Sequence, residues 1–343
     1  MMKASIYVFR AIAVILLAGS AIFETRVAFA EVSTVTIARQ YGIGYLALMI
    51  MERDKLIEKE AKAAGLGEVK VEWVQYSGGS TMNDALISGK LNFASLGTTA
   101  FLTLWSKTKG TPQEVRGVSA FGSFPFYLNT RNPNIKTVKD FTDSDKIAVP
   151  AVKVSNQALM LQIAAEQTFG SGHASDLDKF TVSMSHPDGL TAMLSGRNEV
   201  NSHFTWDPFH SRELAVPGVR TILDSSTLLG VPATTILVAT QRSFREANPK
   251  TYAAFLAAFR SATDRINKDK GAAAEIYLEV TKDKNETKAS MARMLSDPKG
   301  EFTIVPRGMM TYAEFMKKMG TLKELPASWK ELYFPPIDSE QGS

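Results

Sequence analysis

The sequence predicts an α/β protein of two lobes, and three observations carry that prediction. Residues 85–98 read ALISGKLNFASLGT and residues 192–205 read AMLSGRNEVNSHFT. Each copy runs from an apolar stretch into Ser-Gly and a basic residue, Lys90 or Arg197, the pattern of a helix stopped by a left-handed glycine. Short alternating stretches follow, Asn92–Ser95 and Glu199–Ser202, which suit strands and lead into the polar turns Gly97-Thr98-Thr99 and Thr205-Trp206-Asp207-Pro208. Helix, glycine stop, strand, polar turn, helix is thus written twice, once for each lobe.

Bulk properties narrow the class. A chain of 343 residues, 45% hydrophobic and 22% charged, has material for two ordinary domains and no composition typical of disorder. Lys3 and Arg10 precede an apolar run from Ala11 to Phe23, and Ala28-Phe29-Ala30 has the small-residue pattern of a signal-peptidase site. Residues 1–30 are therefore expected to be a signal peptide, cleaved near Ala30, and the mature chain to be a free periplasmic protein. The apolar run is shorter than the ~20 residues a membrane span needs. With no cysteine there is no disulfide, no thiolate nucleophile and no lipid-modified cysteine tether. Formal charge is +4, and the leader's Lys3, Arg10 and Arg26 against Glu24 leave +2 for the rest. The basic residues are scattered and carry no nucleic-acid motif, so no nucleic-acid partner is expected.

Along the chain, Val35–Ala38 and Lys70–Val74 read as strands that end in the loops Gln40–Gly44 and Ser77–Ser80, each followed by a helical pattern. Val115–Ala120 is a further strand, and the aromatic run Phe124–Asn129 is the expected crossing to a second lobe. There Lys146–Pro150 is a strand, Ser155 caps a helix that runs to Phe169 before Gly170, and Thr181–Ser183 and Arg220–Leu223 are strands. Thr234–Ala239 is the expected return crossing. Asn248-Pro249 starts a helix whose Tyr252, Phe255, Leu256 and Phe259 share one face, with Asn248 as its cap. Gly271–Val280, Glu286–Leu295 and Thr311–Met319 continue as helices. The expected division is lobe 1 over 31–125 and 235–330, lobe 2 over 126–234, and a loose tail over 331–343.

Four loops at strand ends lead into helices: Gln40–Gly44, Ser77–Ser80, Gly97–Thr99 and Lys153–Gln157. In an α/β sheet such loops gather at one edge, where helix N-termini present unpaired N–H donors and partial positive charge. Any one of these loops is explained by turn and cap chemistry alone; the four together point to an anion site that needs no arginine. Trp206 reads equally as a wall residue or a core residue. Asp207 reads first as a cap for the helix entered at Pro208 and second as an acceptor for an ammonium. His203, Asp207 and His210 lack compact metal-ligand spacing, so no metal and no cofactor are expected. Nucleophile-elbow, phosphate-loop and zincin patterns are absent, so no catalytic residue is assigned.

The chain resembles the periplasmic solute-binding proteins of bacterial ABC transporters of the nitrate, sulfonate and taurine type. The resemblance runs from about Val35 to about Glu279. It rests on the glycine loop near Gly42, Ala85–Ala94, Lys146–Pro150 with its Ser155-capped helix, Trp206-Asp207-Pro208, and the segment Phe244–Ile266. Asn92, where relatives usually carry Asp, and Asn198-Glu199 depart from the pattern. The resemblance implies a type II periplasmic-binding-protein fold: two α/β lobes, two crossing segments and a ligand cleft that closes by a hinge. It implies delivery to a membrane permease with its ATPase, and hinge closure requires only a monomer. By position it implies a pocket of Tyr41, Gly42, Ser77, Gly78, Thr98, Thr99, Ser155, Asn156, His186, Trp206 and Asp207.

The expected ligand is a small sulfonate or related organic oxyanion. The alternative is a heteroaromatic ligand, such as a pyrimidine precursor, stacked between Tyr41, Phe126 and Trp206. A secreted hydrolase using His186 or His203, and a sensory partner of a membrane receptor, are further alternatives. The fungal pyrimidine-synthesis enzymes of this fold depend on a cysteine-rich motif, which this chain lacks.

Overall fold

The computed structural model describes residues 30–196 and 199–343; the expected signal peptide, apart from Ala30, lies outside the described residues. The first part of the chain alternates strand and helix: β1 (Thr34–Arg39), α1 (Leu46–Asp54), α2 (Leu56–Ala63), β2 (Lys70–Gln75), α3 (Gly79–Ile87), β3 (Phe93–Gly97), α4 (Thr98–Thr108) and β4 (Val115–Ser123). The second part holds β5 (Tyr127–Thr130), β6 (Lys146–Val149), α5 (Asn156–Phe169), β7 (Thr181–Ser183), α6 (His186–Ser195), β8 (Val200–Thr205), α7 (Phe209–Leu214), β9 (Arg220–Asp224) and α8 (Ser226–Leu229). The chain then returns through β10 (Ile236–Gln241), α9 (Arg242–Ala247), α10 (Pro249–Lys268), α11 (Lys270–Thr281), α12 (Lys288–Leu295), β11 (Glu301–Phe302) and α13 (Met309–Lys318).

These strands form two sheets. One has the order β11-β4-β10-β3-β1-β2, with β1, β2 and β3 parallel and β10 antiparallel to both β3 and β4. The other has the order β7-β6-β8-β5-β9, with β6, β7 and β8 parallel and β5 antiparallel to β8 and β9. Each sheet thus joins a parallel unit to an antiparallel strand, β10 in one and β5 in the other, where the chain enters from the other lobe, and β11 adds a second antiparallel strand at the edge of the first sheet, against β4. The two passages are the short stretch after β4 and the stretch between α8 and β10.

Local chemistry explains the repeat. Gly89 and Gly196, at the ends of α3 and α6, have φ of 74° and 66°, the left-handed region in which a Cβ is strained. Asn92 uses Oδ1 to accept from Thr36 N at 2.8 Å and so ties the start of β3 to β1. The six-stranded sheet is covered by α10, whose Phe255 stacks on Phe93 at 4.0 Å while Phe259 meets Phe121 edge-on at 4.7 Å.

Two expectations are corrected. Asn248 stands at the start of α10, but its Oδ1 accepts from Val32 N, and the helix N–H groups of Lys250 and Thr251 are taken by the Glu31 carboxylate at 2.9 and 2.7 Å. A full negative charge against the helix dipole replaces the amide cap. The tail over 331–343 is packed rather than loose: Leu332, Tyr333 and Ile337 are fully buried, and Ser343 N donates to the Pro306 carbonyl. Gly117 lets Tyr333 lie against β4, since a Cβ there would sit 2.4 Å from the Tyr333 ring.

Candidate functional site

The C-terminal ends of the parallel strands in both sheets open onto one crevice between the lobes. From the first lobe come Gln40, Tyr41 and Tyr45 after β1, Gly79 at the start of α3, and Gly97 and Ala100 at the start of α4. From the second come Ser155, Asn156 and Gln157 at the start of α5, His186 at the start of α6, and Trp206 after β8. Four helices of eight or more residues therefore begin on this crevice. Its volume is about 40 Å³, room for a few waters.

Among the described residues, no Lys, Arg, Asp or Glu lines the crevice. Its polarity comes from the amides of Gln40, Asn156 and Gln157, from Ser155, and from His186. Burial holds the His186 imidazole well below the usual histidine value, with His203 adding to the shift, so the ring is neutral at pH 7. Burial likewise pushes the Tyr45 phenol far above its usual value, so it too is neutral.

Trp206 resolves as both wall and core. It is 3% exposed, packs against Tyr45, Phe124 and Phe126, and donates from Nε1 to the Tyr41 carbonyl at 3.2 Å. Gly42 and Gly44 are required beneath it, because a Cβ on either would come within 2.4 or 2.6 Å of the indole. The Ile43 N–H adds a second tie by donating to the Asp207 carbonyl at 3.1 Å.

Three of the four helix starts already hold caps. Ser155 Oγ accepts from Ala158 N in α5, and Ser185 Oγ accepts from Asp188 N in α6. At α4 the cap comes from the opposite lobe: Asn156 Oδ1 accepts from Thr99 N at 2.9 Å, while its Nδ2 donates to the Thr235 carbonyl at 2.6 Å. The start of α3, at Gly78-Gly79, has no side-chain cap.

Of the expected pocket residues, the crevice brings together Tyr41, Ser155, Asn156, His186 and Trp206. The others stand apart from its lining. Gly42 borders an adjacent open hollow of about 670 Å³, which also holds Arg39, Arg212 and Asp283. Ser77 is exposed, and Gly78 lies where a Cβ would be 2.8 Å from the Pro150 carbonyl of the second lobe. Thr98 Oγ1 is turned to the Thr234 carbonyl, and Thr99 is 2% exposed behind Asn156. The Asp207 carboxylate accepts from Ser211 N and Ser211 Oγ, so it caps the following helix. Sequence reasoning had named the loops holding Gln40, Gly79, Gly97 and Gln157 without singling these residues out. It missed Tyr45, and Thr235 and Ile236 on the return passage, whose place depends on the packing of one lobe against the other.

No protein-family model matches the chain, and no curated protein matches it. Solved structures do. The alkanesulfonate-binding protein SsuA from Xanthomonas axonopodis pv. citri, bound to MOPS, is similar with a TM-score of 0.66 at 17% identity, over 86% of this chain and 96% of that one. The ligand-binding component of an ABC-type import system from Staphylococcus aureus, with zinc bound, gives 0.66 at 15% identity, over 90% and 99%. The chain has the periplasmic-binding-protein fold. The periplasmic nitrate-binding protein NrtA from Synechocystis PCC 6803 agrees, with a TM-score of 0.64 at 15% identity over 91% of this chain and 86% of that one. The two-sheet topology and the crevice between the lobes are those the resemblance in the sequence implied.

Proposed function

We propose that the protein is the solute-binding component of an ABC importer, which captures a small sulfonate or related organic oxyanion by hinge closure and passes it to a membrane permease. The observation that carries this reading is the convergence of four helix N-termini on an uncharged crevice walled by Tyr41, Tyr45, Phe126 and Trp206. Helix N-termini favour negative charge without a cationic side chain, and the aromatic walls suit an organic stem. The neighbours named for alkanesulfonate and nitrate binding support the same class. Export, cleavage near Ala30 and work as a monomer belong to this proposal, and the candidate residues are those lining the crevice.

The lack of a charged lining residue also favours a second reading, a neutral heteroaromatic ligand stacked on Trp206 and held by the amides. Thermal denaturation of the mature protein against taurine, longer alkanesulfonates, aromatic sulfonates, nitrate, carboxylates and pyrimidine precursors separates the two. A ligand at 100 times its dissociation constant adds ~2.7 kcal/mol. A shift with a sulfonate upholds the first reading, and a shift confined to uncharged heterocycles upholds the second. Turnover in an ester and amide screen would instead mark an enzyme.

A further inference from the structure

Behind the crevice wall runs a chain of buried polar groups. His186 Nε2 is 3.4 Å from Gln157 Nε2, and its Nδ1 is 3.2 Å from His203 Nε2 and 3.0 Å from Thr205 Oγ1. His203 Nδ1 is 2.5 Å from Glu213 Oε1, and Glu213 Oε2 accepts from Asn129 Nδ2 at 2.8 Å. His203, Glu213 and Asn129 are each 0% exposed. Gly189 lets α6 lie this close, since a Cβ there would be 2.7 Å from His203 Nε2.

With Glu213 as a carboxylate, counting hydrogens gives the sense of the bonds from Asn129 to His186, and the Thr205 hydroxyl turns to suit either state of His186 Nδ1. A carboxylate only accepts, so Asn129 turns its amide nitrogen to Glu213, and its Oδ1 accepts from Thr221 Oγ1 at 2.7 Å. His203 must then carry a proton on Nδ1. One proton remains to be placed between His203 Nε2 and His186 Nδ1. With both rings neutral it sits on His186 Nδ1, and His186 offers a bare Nε2 to the Gln157 amide and the crevice. One added proton makes His203 an imidazolium against Glu213; His203 Nε2–H then donates to His186 Nδ1, and His186 carries its own proton on Nε2. The same atom has changed from acceptor to donor.

We infer that His186 is the residue through which the crevice reads the hydrogen-bond character of its ligand, and that the buried His203–Glu213 pair takes up one proton from solvent when an oxyanion is captured. The inference rests on the oxyanion reading; a ligand bringing its own N–H leaves the pair as it is. The surrounding charges do not compete. Asp188 on α6 is turned to Ser185, Asp207 to Ser211, and Arg212 on α7 is held by Asp283 and Glu286. His210 on α7 is hydrogen-bonded to the pair only through Asn129, although the Glu213 charge also acts on it, and α5 presents the uncharged Gln157. Burial keeps His186 neutral in both states, so the added proton that distinguishes them resides on His203 against Glu213.

The test is ¹⁵N NMR of the histidine rings at about pH 7, joined to calorimetry with an alkanesulfonate in two buffers of different ionisation enthalpy. Without ligand, His186 is expected to carry its proton on Nδ1. At saturation it is expected to carry it on Nε2, with uptake of about one proton per ligand and an affinity that falls up to about tenfold per pH unit above neutrality. Glu213→Gln, which keeps the shape and removes the charge, is expected to abolish the uptake; should it not fold, the native protein decides alone. Binding with no proton uptake and an unmoved His186 proton overturns the inference. Absence of alkanesulfonate binding overturns the oxyanion reading instead, and acid titration of the ligand-free protein then judges the relay. A His186 proton that moves from Nδ1 to Nε2 as His203 charges upholds it, and a proton already on Nε2 at neutral pH overturns it.

Discussion

Asn156 begins a helix of the second lobe, yet its Oδ1 accepts from Thr99 N, in the first turn of a helix of the other lobe, at 2.9 Å. Its Nδ2 donates to the Thr235 carbonyl, on the return passage between the lobes. One carboxamide, 3% exposed, thus fastens both lobes and the passage that joins them.

Asn156→Ala leaves Thr99 N without its cap and the Thr235 carbonyl without its donor. Unsatisfied buried groups of this kind cost about 1–3 kcal/mol. Urea unfolding is expected to show that loss, and small-angle scattering a larger radius of gyration as the lobes part. Unchanged values in both would show that Asn156 does not fasten the lobes together.

Arg212 of α7 pairs with Asp283 and Glu286, which lie between α11 and α12 of the first lobe, and all three are largely buried. Arg212→Ala strands two carboxylates and is expected to cost roughly 1–3 kcal/mol. Asp283→Asn with Glu286→Gln in the same chain removes the stranded charges, and should restore part of that loss. Equal stability of the single and triple variants would contradict the pairing.

Gly44→Ala places a methyl 2.6 Å from the Trp206 ring and 2.8 Å from Ile236 Cδ1. Overpacking of this kind costs about 1–3 kcal/mol and moves the indole. A lowered thermal midpoint with altered tryptophan emission is expected; Gly65→Ala, open at its Cβ but at φ 75°, is the comparison that feels backbone strain alone.

Acid should weaken the fold first through histidine. Burial holds His186 and His210 below the ordinary value of 6.5, His210 despite the pull of Asp207 and Glu213. The unfolded chain therefore binds more protons as pH falls through that value. Stability is full above about pH 6.5 and declines below it, by up to ~1.4 kcal/mol per pH unit for each histidine. At Asp145 burial is outweighed by hydrogen bonds from Thr142, Asn201 and Asn132, which hold its carboxyl below 3.8, so its loss comes at more acid pH. Urea midpoints between about pH 7.5 and 5 check the histidine window. A flat profile there would show that neither ring resists protonation.

What was legible in the sequence is what is decided within a few residues. Gly89 and Gly196 mark helix ends because only glycine takes that φ without strain, and Ser155 marks a helix start because its hydroxyl reaches Ala158 N. From such signals the strand ends, and hence the edge holding the crevice, could be read in order. What was not legible depends on partners far apart in the chain. Thr98 looked like a ligand group, but its hydroxyl is taken by Thr234, 136 residues on. Asn248 looked like a cap, but Glu31 reaches the helix from 219 residues away. The His186–His203–Glu213 chain was equally hidden, because a strand residue and two helix residues meet only once the second lobe has packed.

On the proposed reading a small organic oxyanion binds in the crevice between the lobes. Titration calorimetry of the best alkanesulfonate into the native protein and into Ala100→Leu tests it most directly. Ala100 lines a space of only about 40 Å³, so three added carbons obstruct it. One ligand per chain is expected for the native protein, and at least about a tenfold weaker dissociation constant for a variant that still unfolds cooperatively, equivalent to ~1.4 kcal/mol or more. Equal affinity in the two proteins would place the ligand outside the crevice.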